Sequence, residues 1–263
     1  MKFAIIGGSG LARLAGLEQS RRQVVRTPYG DPSGPLTFGR LDGIELVFLA
    51  RHGYGHTIAP HEINYRANIW ALHNAGVDGI LSVATVGGIR AEYGPGALVL
   101  PDQLIDYTWG RRSTFFEGPE QPVTHIDFTL PYDDIVRDRF AQAAASLGET
   151  LALTGTYGCT QGPRLETAAE IRRMQRDGCD LVGMTGMPEA ALARELAVPY
   201  AALAVVANHA AGMGDSAAGI SLEAISATLD LTMARVHRLL GEFVRIAARG
   251  QHSGPPPAAL TPT

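Results

Sequence analysis

Short apolar runs closed by glycine or polar residues recur along the chain, and they constrain the fold more than any other feature. Runs of this length predict buried strands. Seven of them are Phe3–Ile6, Glu45–Ala50, Gly79–Ala84, Ala97–Leu100, Leu151–Tyr157, Asp180–Met184 and Tyr200–Ala207. Between several of these runs lie segments with helical apolar spacing, namely Asn64–Ala75, Asp133–Leu147, Glu166–Arg176, Glu189–Leu196 and, at the end, Ser221–Ala248. Because strands alternate with helices, we expect an α/β fold with a mostly parallel sheet.

The composition indicates an ordinary globular protein. Of the 263 residues, 46% are hydrophobic and 18% are charged, which is enough for a large core. A net charge of −4 gives no electrostatic footprint for nucleic acid or a membrane surface. The N-terminal apolar run is too short for a signal peptide or a membrane span, so we expect a cytoplasmic protein. We expect one domain over residues 1–250 and a disordered, proline-containing tail over residues 251–263.

The ends of the predicted strands carry residues suited to ligands. In parallel sheets, ligands bind at the carboxyl ends of the strands. The turn Gly7–Gly10 lacks the third glycine and the later acid of a dinucleotide fingerprint, but its N–H groups and the Ser9 hydroxyl can bind an anion. The Arg51 guanidinium can grip two phosphate oxygens at once. The alternatives are a plain turn at Gly7–Gly10 and a solvated loop at Arg51-His52.

Other polar residues of the chain also invite interpretations. The histidines His52, His56 and His61 suggest a metal, but they lack the spacing of a zinc motif and we expect none. Cys159 and Cys179 have neither CxxC spacing nor a nearby catalytic partner, so we expect no disulfide or thiol chemistry. Glu166 can be explained as a first-turn acid that suits a helix dipole.

Five longer motifs resemble those of the trimeric purine nucleoside phosphorylases and methylthioadenosine phosphorylases. They are IIGGSGL from Ile5, LARHGYGHTIAPHEINYRANIWAL from Leu49, GPRLET from Gly162, GMTGMPEA from Gly183 and AVVANHAAG from Ala204. The resemblance extends from Ile5 to about Ala248. It implies a single α/β domain with a distorted mixed central sheet flanked by helices, and a homotrimer with sites near subunit interfaces. It also implies phosphorolysis of a nucleoside, with inorganic phosphate as co-substrate and no cofactor or metal.

The resemblance assigns roles to individual residues. It implies phosphate binding by Ser9, Arg51, His52, the backbone of Thr85, and Thr185. It places Met184 under the ribose, and it places Leu165, Glu166, Asn208, His209 and Ala210 around the base. Asn208 would also be the catalytic residue, because it would stabilise the charge that builds on the departing purine.

The base-pocket residues favour a 6-oxopurine over adenine. An ionised Glu166 only accepts hydrogen bonds and therefore suits the N1–H of a 6-oxopurine, while the amide of Asn208 can donate to O6 and N7. Adenine-specific members of the family carry Asp at the position of Asn208 and a second acid at the position of Ala210. A site built to hydrogen-bond one base rejects the mispaired one by as much as ~10⁴-fold. We therefore expect hypoxanthine or guanine as the base.

The other end of the nucleoside is predicted to be apolar. Leu222 and Ile225 occupy the stretch where phosphorylases of ordinary nucleosides carry a histidine, and an apolar wall favours a 5′-methylthio group. His125 resembles the histidine that methylthio-nucleoside enzymes receive from a neighbouring subunit. The expected reaction converts S-methyl-5′-thioinosine and phosphate into hypoxanthine and 5-methylthioribose 1-phosphate.

Four alternatives remain open from the sequence. Leu222 and Ile225 can belong to an ordinary helix face. The chain can be an adenine-specific methylthioadenosine phosphorylase or an inosine/guanosine phosphorylase, and, from a different class, it can be a nucleotide-binding regulator without catalysis.

Overall fold

A computed structural model describes residues 2–11, 14, 16–119 and 122–249 of the chain. Within these ranges there are ten strands: β1 Phe3–Gly7, β2 Glu18–Gln23, β3 Leu36–Leu41, β4 Ile44–Ala50, β5 Gly79–Gly88, β6 Leu98–Val99, β7 Gln103–Asp106, β8 Thr156–Cys159, β9 Leu181–Gly183 and β10 Tyr200–His209. The same ranges contain five α-helices: α1 Tyr65–Asn74, α2 Asp134–Ser146, α3 Ala168–Arg176, α4 Glu189–Glu195 and α5 Leu222–Arg249. The predicted tail, 251–263, lies outside the described residues.

The strands form one mixed sheet in the order β2-β3-β4-β1-β5-β9-β8-β7, with β10 branching from β5 and β6 pairing with β10. β1 runs parallel to β4 and β5, and β10 also runs parallel to β5. β9, in contrast, pairs antiparallel with the last two residues of β5. β5 therefore changes partners along its length, which splits the sheet. The predicted α/β class and distorted mixed sheet are confirmed, while the expectation of a mostly parallel sheet understated the antiparallel pairs.

The two faces of the sheet are covered by different helices. α1 and α4 pack on one face, where Ile69 and Leu192 are fully buried. α2 and α5 pack on the other face, where Phe140 and Phe243 lie with their ring centroids 5.7 Å apart. Burying such a side chain stabilises the fold by about 1.5–3 kcal/mol. All five helices lie within two residues of their predicted bounds.

The strands that the sequence pattern missed lie at or near the edges of the sheet. Every residue of β2 is exposed, so this strand has no apolar alternation to reveal it. β7 lies at the opposite edge, where it pairs with β8. The predicted strand Leu151–Tyr157 is displaced, because its first half makes a single bridge between Ala152 and Val99. No described helix combines the length and apolar character that a membrane span requires.

Candidate active site

The polar ends of five strands meet at one open cavity of about 560 Å³. β1, β4 and β5 contribute the glycine turn, Arg51-His52 and Thr85, while β9 and β10 contribute Thr185 and Asn208. The predicted residues that line it are Ser9, Arg51, His52, Thr85, Leu165, Glu166, Met184, Thr185, Asn208, Ala210, Leu222 and Ile225. The fold thus brings residues that are far apart in sequence to one cavity.

The glycine turn is packed tightly against the buried arginine. A Cβ atom on Gly8 would lie 2.7 Å from the carbonyl oxygen of Val83 and 2.9 Å from Nη1 of Arg51, so only glycine fits there. The Ser9 carbonyl oxygen accepts a hydrogen bond of 3.0 Å from the Thr85 hydroxyl. The Ser9 hydroxyl oxygen is 3.5 Å from Nε2 of His56. The turn therefore faces the cavity with its backbone and the Ser9 side chain.

Arg51 is completely buried, and most of its donors are already used inside the protein. Its Nε and Nη2 donate to the two carboxylate oxygens of Glu189 at 2.8 and 2.9 Å. Nη2 also donates to the Ser82 hydroxyl, and Nη1 donates to the Val83 carbonyl at 3.0 Å. Burial acts to lower the pKa of Arg51, but the Glu189 carboxylate more than offsets burial, and the pKa is raised.

This geometry corrects the expectation that Arg51 forks two phosphate oxygens. A guanidinium has five N–H donors. Four of those bonds go to Glu189, Ser82 and Val83, which leaves one Nη1 hydrogen beside Gly8 for a ligand. Glu189 was predicted only as the start of a helix, so its role under the site was missed.

His52 is held in its neutral form with a fixed tautomer. Its Nδ1 lies 2.8 Å from the carbonyl oxygen of Ile58, and because a carbonyl only accepts, Nδ1 carries the proton. Burial, followed by the charge of Arg51, lowers the pKa of His52 to about 4. The bare Nε2 is therefore an acceptor at neutral pH. The ring also packs on His56, with centroids 4.4 Å apart.

Thr185 is buried at the start of the loop after β9. Its backbone N–H donates to the hydroxyl of Tyr157 at 3.4 Å, and Tyr157 is fully buried beneath it. The preceding residue, Met184, also lines the cavity. The two residues that the resemblance assigns to phosphate and ribose thus stand next to each other on a supported loop.

Glu166 stands at the opposite end of the cavity. The Thr160 hydroxyl donates to its Oε1 at 2.6 Å, and burial raises the pKa of Glu166 above its ordinary value. The alternative of a first-turn helix acid is wrong for Glu166. α3 begins after its cap Thr167, and Glu170 is the acid that completes the capping box. The Glu166 side chain is therefore free to meet a ligand.

Asn208 lies near the end of β10 with one amide hydrogen engaged. Its Nδ2 donates to the carbonyl oxygen of His209 at 2.6 Å, which leaves a second N–H and the amide oxygen. Ala210 is buried and lines the cavity. His209, in contrast, is not among the lining residues, because its ring packs against Gly214 and Asp215. The predicted place of His209 beside the base stays a prediction.

The predicted 5′ end is apolar and open to solvent. Leu222 and Ile225 line the cavity from the first turn of α5, and Leu222 is 72% exposed. His125 lies in the segment between β7 and α2, where it is exposed and does not line the cavity of its own chain. Its predicted role toward a neighbouring subunit stays a prediction.

In the described part of the chain, no group of three or more His, Cys, Asp or Glu residues could hold a metal ion. His61 pairs with Glu62 at 3.5 Å, and only His52 and His56 of the three histidines line the cavity.

Comparison with known proteins identifies the class to which this fold and cavity belong. A sequence model of the Phosphorylase superfamily matches residues 2–245. The chain belongs to this superfamily and is an enzyme of the purine nucleoside phosphorylase type, a pentosyltransferase that carries out phosphorolysis of purine nucleosides.

Individual proteins of this class are similar to the chain over most of its length. A probable S-methyl-5′-thioinosine phosphorylase of Xanthomonas campestris pv. campestris is 54% identical over 92% of this chain and 97% of the relative. A 6-oxopurine nucleoside phosphorylase of Pyrococcus furiosus is 49% identical over 81% of each chain. Among solved structures, methylthioadenosine phosphorylase from Schistosoma mansoni in complex with adenine superposes with a TM-score of 0.91 at 30% identity, covering 95% and 93% of the two chains.

Proposed function

We propose that the enzyme converts S-methyl-5′-thioinosine and phosphate into hypoxanthine and 5-methylthioribose 1-phosphate. The observation that carries the base assignment is the pairing of Glu166 with Asn208 in one cavity where Ala210, rather than an acid, lies beside them. This proposal agrees with the names of the relatives from Xanthomonas campestris and Pyrococcus furiosus, which concern methylthioinosine and 6-oxopurine nucleosides. We assign the catalytic domain to residues 1–250.

The base is held by complementary donors and acceptors. Ionised Glu166 accepts from N1–H, and the hydroxyl of Thr160 keeps the carboxylate in place from the other side. The free N–H of Asn208 donates to N7, where negative charge builds as the purine leaves. Adenine offers a bare N1 to the same carboxylate, so two acceptors would face each other. The pocket thus favours hypoxanthine or guanine.

Phosphate binds at the other end of the cavity, below the anomeric carbon of the sugar. The Ser9 and Thr185 hydroxyls, the turn N–H groups, the Thr85 backbone and one N–H of Arg51 donate to its oxygens. The bare Nε2 of His52 accepts the hydrogen of HPO₄²⁻. The glycosidic bond loosens first, and the anionic phosphate stabilises the cationic sugar that forms. The mechanism needs no cofactor and no metal.

The methylthio group is proposed to lie against Leu222 and Ile225. A 5′-hydroxyl placed there would lose its hydrogen bonds to water without replacement. Because the wall is open in the single chain and the exposed His125 does not line its own cavity, we propose a homotrimer in which His125 of one subunit closes the 5′ pocket of the next. An inosine/guanosine phosphorylase is the second candidate, and the Pyrococcus furiosus relative favours it.

Four nucleosides test the proposal: hypoxanthine and adenine, each joined to a 5′-hydroxyl or a 5′-methylthio ribose, with and without phosphate. We expect phosphate-dependent release of hypoxanthine, fastest from the methylthio nucleoside. Faster turnover of both adenine nucleosides would overturn the base assignment, and equal kcat/KM for both hypoxanthine nucleosides would overturn the 5′ assignment. Binding without any base release would indicate a regulator.

A further inference from the structure

Arg111 makes an unusual set of hydrogen bonds outside the residues discussed so far. It lies between β7 and α2, where residues 107–119 and 122–133 form no helix or strand, and it is partly buried. Its five N–H donors face six acceptors, so one hydrogen on Nη1 is shared, and five of the acceptors are carbonyl oxygens. Because the donors of a guanidinium lie in one plane, they fix the positions of the acceptors relative to one another.

The acceptors belong to the two loops that carry opposite ends of the site. In the phosphate loop, residues 184–187, Nη1 donates to the carbonyls of Met184 and Met187 at 2.9 and 2.5 Å. In the base loop, residues 160–166, Nη2 donates to the carbonyls of Thr160 and Gln161 at 3.2 and 2.8 Å. Nε adds a bond of 3.2 Å to Oε1 of Gln161.

These two loops contain groups that the proposed reaction uses. The phosphate loop carries Met184 and Thr185, and the base loop carries Glu166 together with Thr160, whose hydroxyl holds the Glu166 carboxylate. The loops also touch each other, since a Cβ on Gly162 would lie 2.5 Å from the sulfur of Met184. A shift of one loop is therefore transmitted to the other.

We propose that Arg111 is a positioning residue that holds the phosphate loop and the base loop at the separation required by the reaction. It lines none of the cavity itself, so its effect passes through Thr185 and Glu166. Lysine can replace it only in part, because one ammonium on a flexible stem cannot hold carbonyls on both loops in a fixed plane. This inference rests on the proposed function and adds that phosphate and nucleoside affinities depend on the same side chain.

The test compares Arg111→Met, Arg111→Lys and Arg111→Ala with the wild-type enzyme under phosphorolysis conditions. A displacement of about 1 Å at a reacting centre costs about 100-fold in rate, and we expect that order of loss in kcat/KM for Arg111→Met. KM should rise for both phosphate and nucleoside, with Arg111→Lys intermediate. Added guanidinium ion should restore part of the activity of Arg111→Ala. Arg112→Met is the matched control, because Arg112 is exposed and bonds only to Glu117 among the described residues.

The outcomes separate positioning from simple stabilisation. Thermal unfolding and the folded fraction are measured for each variant. Unchanged KM values in the folded fraction, or a rise in only one of the two, would overturn the proposal; if Arg111→Met does not fold, the same criteria apply to Arg111→Lys. The proposed function is judged separately, by the wild-type turnover of the four nucleosides.

Discussion

Replacing Glu189 by glutamine leaves a charge buried beneath the cavity without its partner. Both Arg51 and Glu189 are fully buried, and the carboxylate accepts from Arg51 Nε and Nη2 and from the Tyr200 hydroxyl at 2.8 Å. Glutamine has nearly the same shape but only one acceptor oxygen, and its NH₂ group must face a donor. Arg51 stays charged, because a guanidinium is not deprotonated in proteins.

The structure sets the size of the expected effect. Removing one partner of a buried ion pair costs about 3–5 kcal/mol. The free energy of unfolding of an ordinary domain is only about 5–15 kcal/mol, so a loss of this size should be easily measured. The matched control is Glu45→Gln, since Arg40 and Glu45 are half-exposed or more and 3.8 Å apart. Exposed pairs of this kind contribute at most about 1 kcal/mol.

Urea unfolding of Glu189→Gln, Glu45→Gln and the wild type, with and without phosphate, measures these differences. Phosphate should raise the free energy of unfolding of Glu189→Gln more than that of the wild type, because a bound anion supplies the missing counter-charge. KM for phosphate should also change in Glu189→Gln. A free energy of unfolding within about 1 kcal/mol of the wild type would refute the argument that this pair holds Arg51.

Three further variants test other parts of the site. In Asn208→Asp, a carboxylate oxygen replaces the amide nitrogen that now lies 2.6 Å from the carbonyl oxygen of His209. We expect weaker use of 6-oxopurine nucleosides and some turnover of adenine nucleosides. An unchanged base preference in competition assays would contradict the base-pocket argument. Because burial and Arg51 lower the pKa of His52 from 6.5 to about 4, the unfolded chain takes up a proton that the folded state excludes. The free energy of unfolding should therefore decrease as the pH is lowered from about 6.5 to about 4. His52→Gln should reduce this pH dependence in urea titrations. Leu222→His should raise kcat/KM for inosine relative to methylthioinosine by about tenfold; no change in that ratio would remove Leu222 from the 5′ pocket.

Most of the fold was predictable because its elements carry apolar patterns. β1, β4 and β10 are almost wholly buried, so each appears in the sequence as a bounded apolar run. β2 could not be found in this way, since its residues EQSRRQ are all exposed and its backbone pairing with β3 alone defines it. Edge strands are specified by their neighbours, which a local pattern does not contain.

In the site too, the residues marked by a local sequence pattern were predicted, while those whose role depends on distant partners were not. Strand-end residues such as Thr185 and Asn208 were predicted because their position at the end of an apolar run is local. Glu189 and Arg111 were missed, because their importance depends on partners 138 and 49–76 residues away in the chain. The one signal available for Glu189 was its place in the motif GMTGMPEA, directly after the predicted phosphate loop.

The neutralised Arg51 has a consequence for how charge is balanced during the proposed reaction. Among the described residues that line the cavity, Arg51 is the one arginine or lysine, and Glu189 already cancels its charge. In the proposed reaction, a phosphate dianion therefore enters a site that supplies hydrogen bonds but no net positive charge. The cation that completes the balance is the sugar itself, and it exists only while the glycosidic bond is breaking. Because the phosphate charge is compensated in the transition state and not in the ground state, such a pocket would lower the barrier to bond cleavage more than it would strengthen substrate binding.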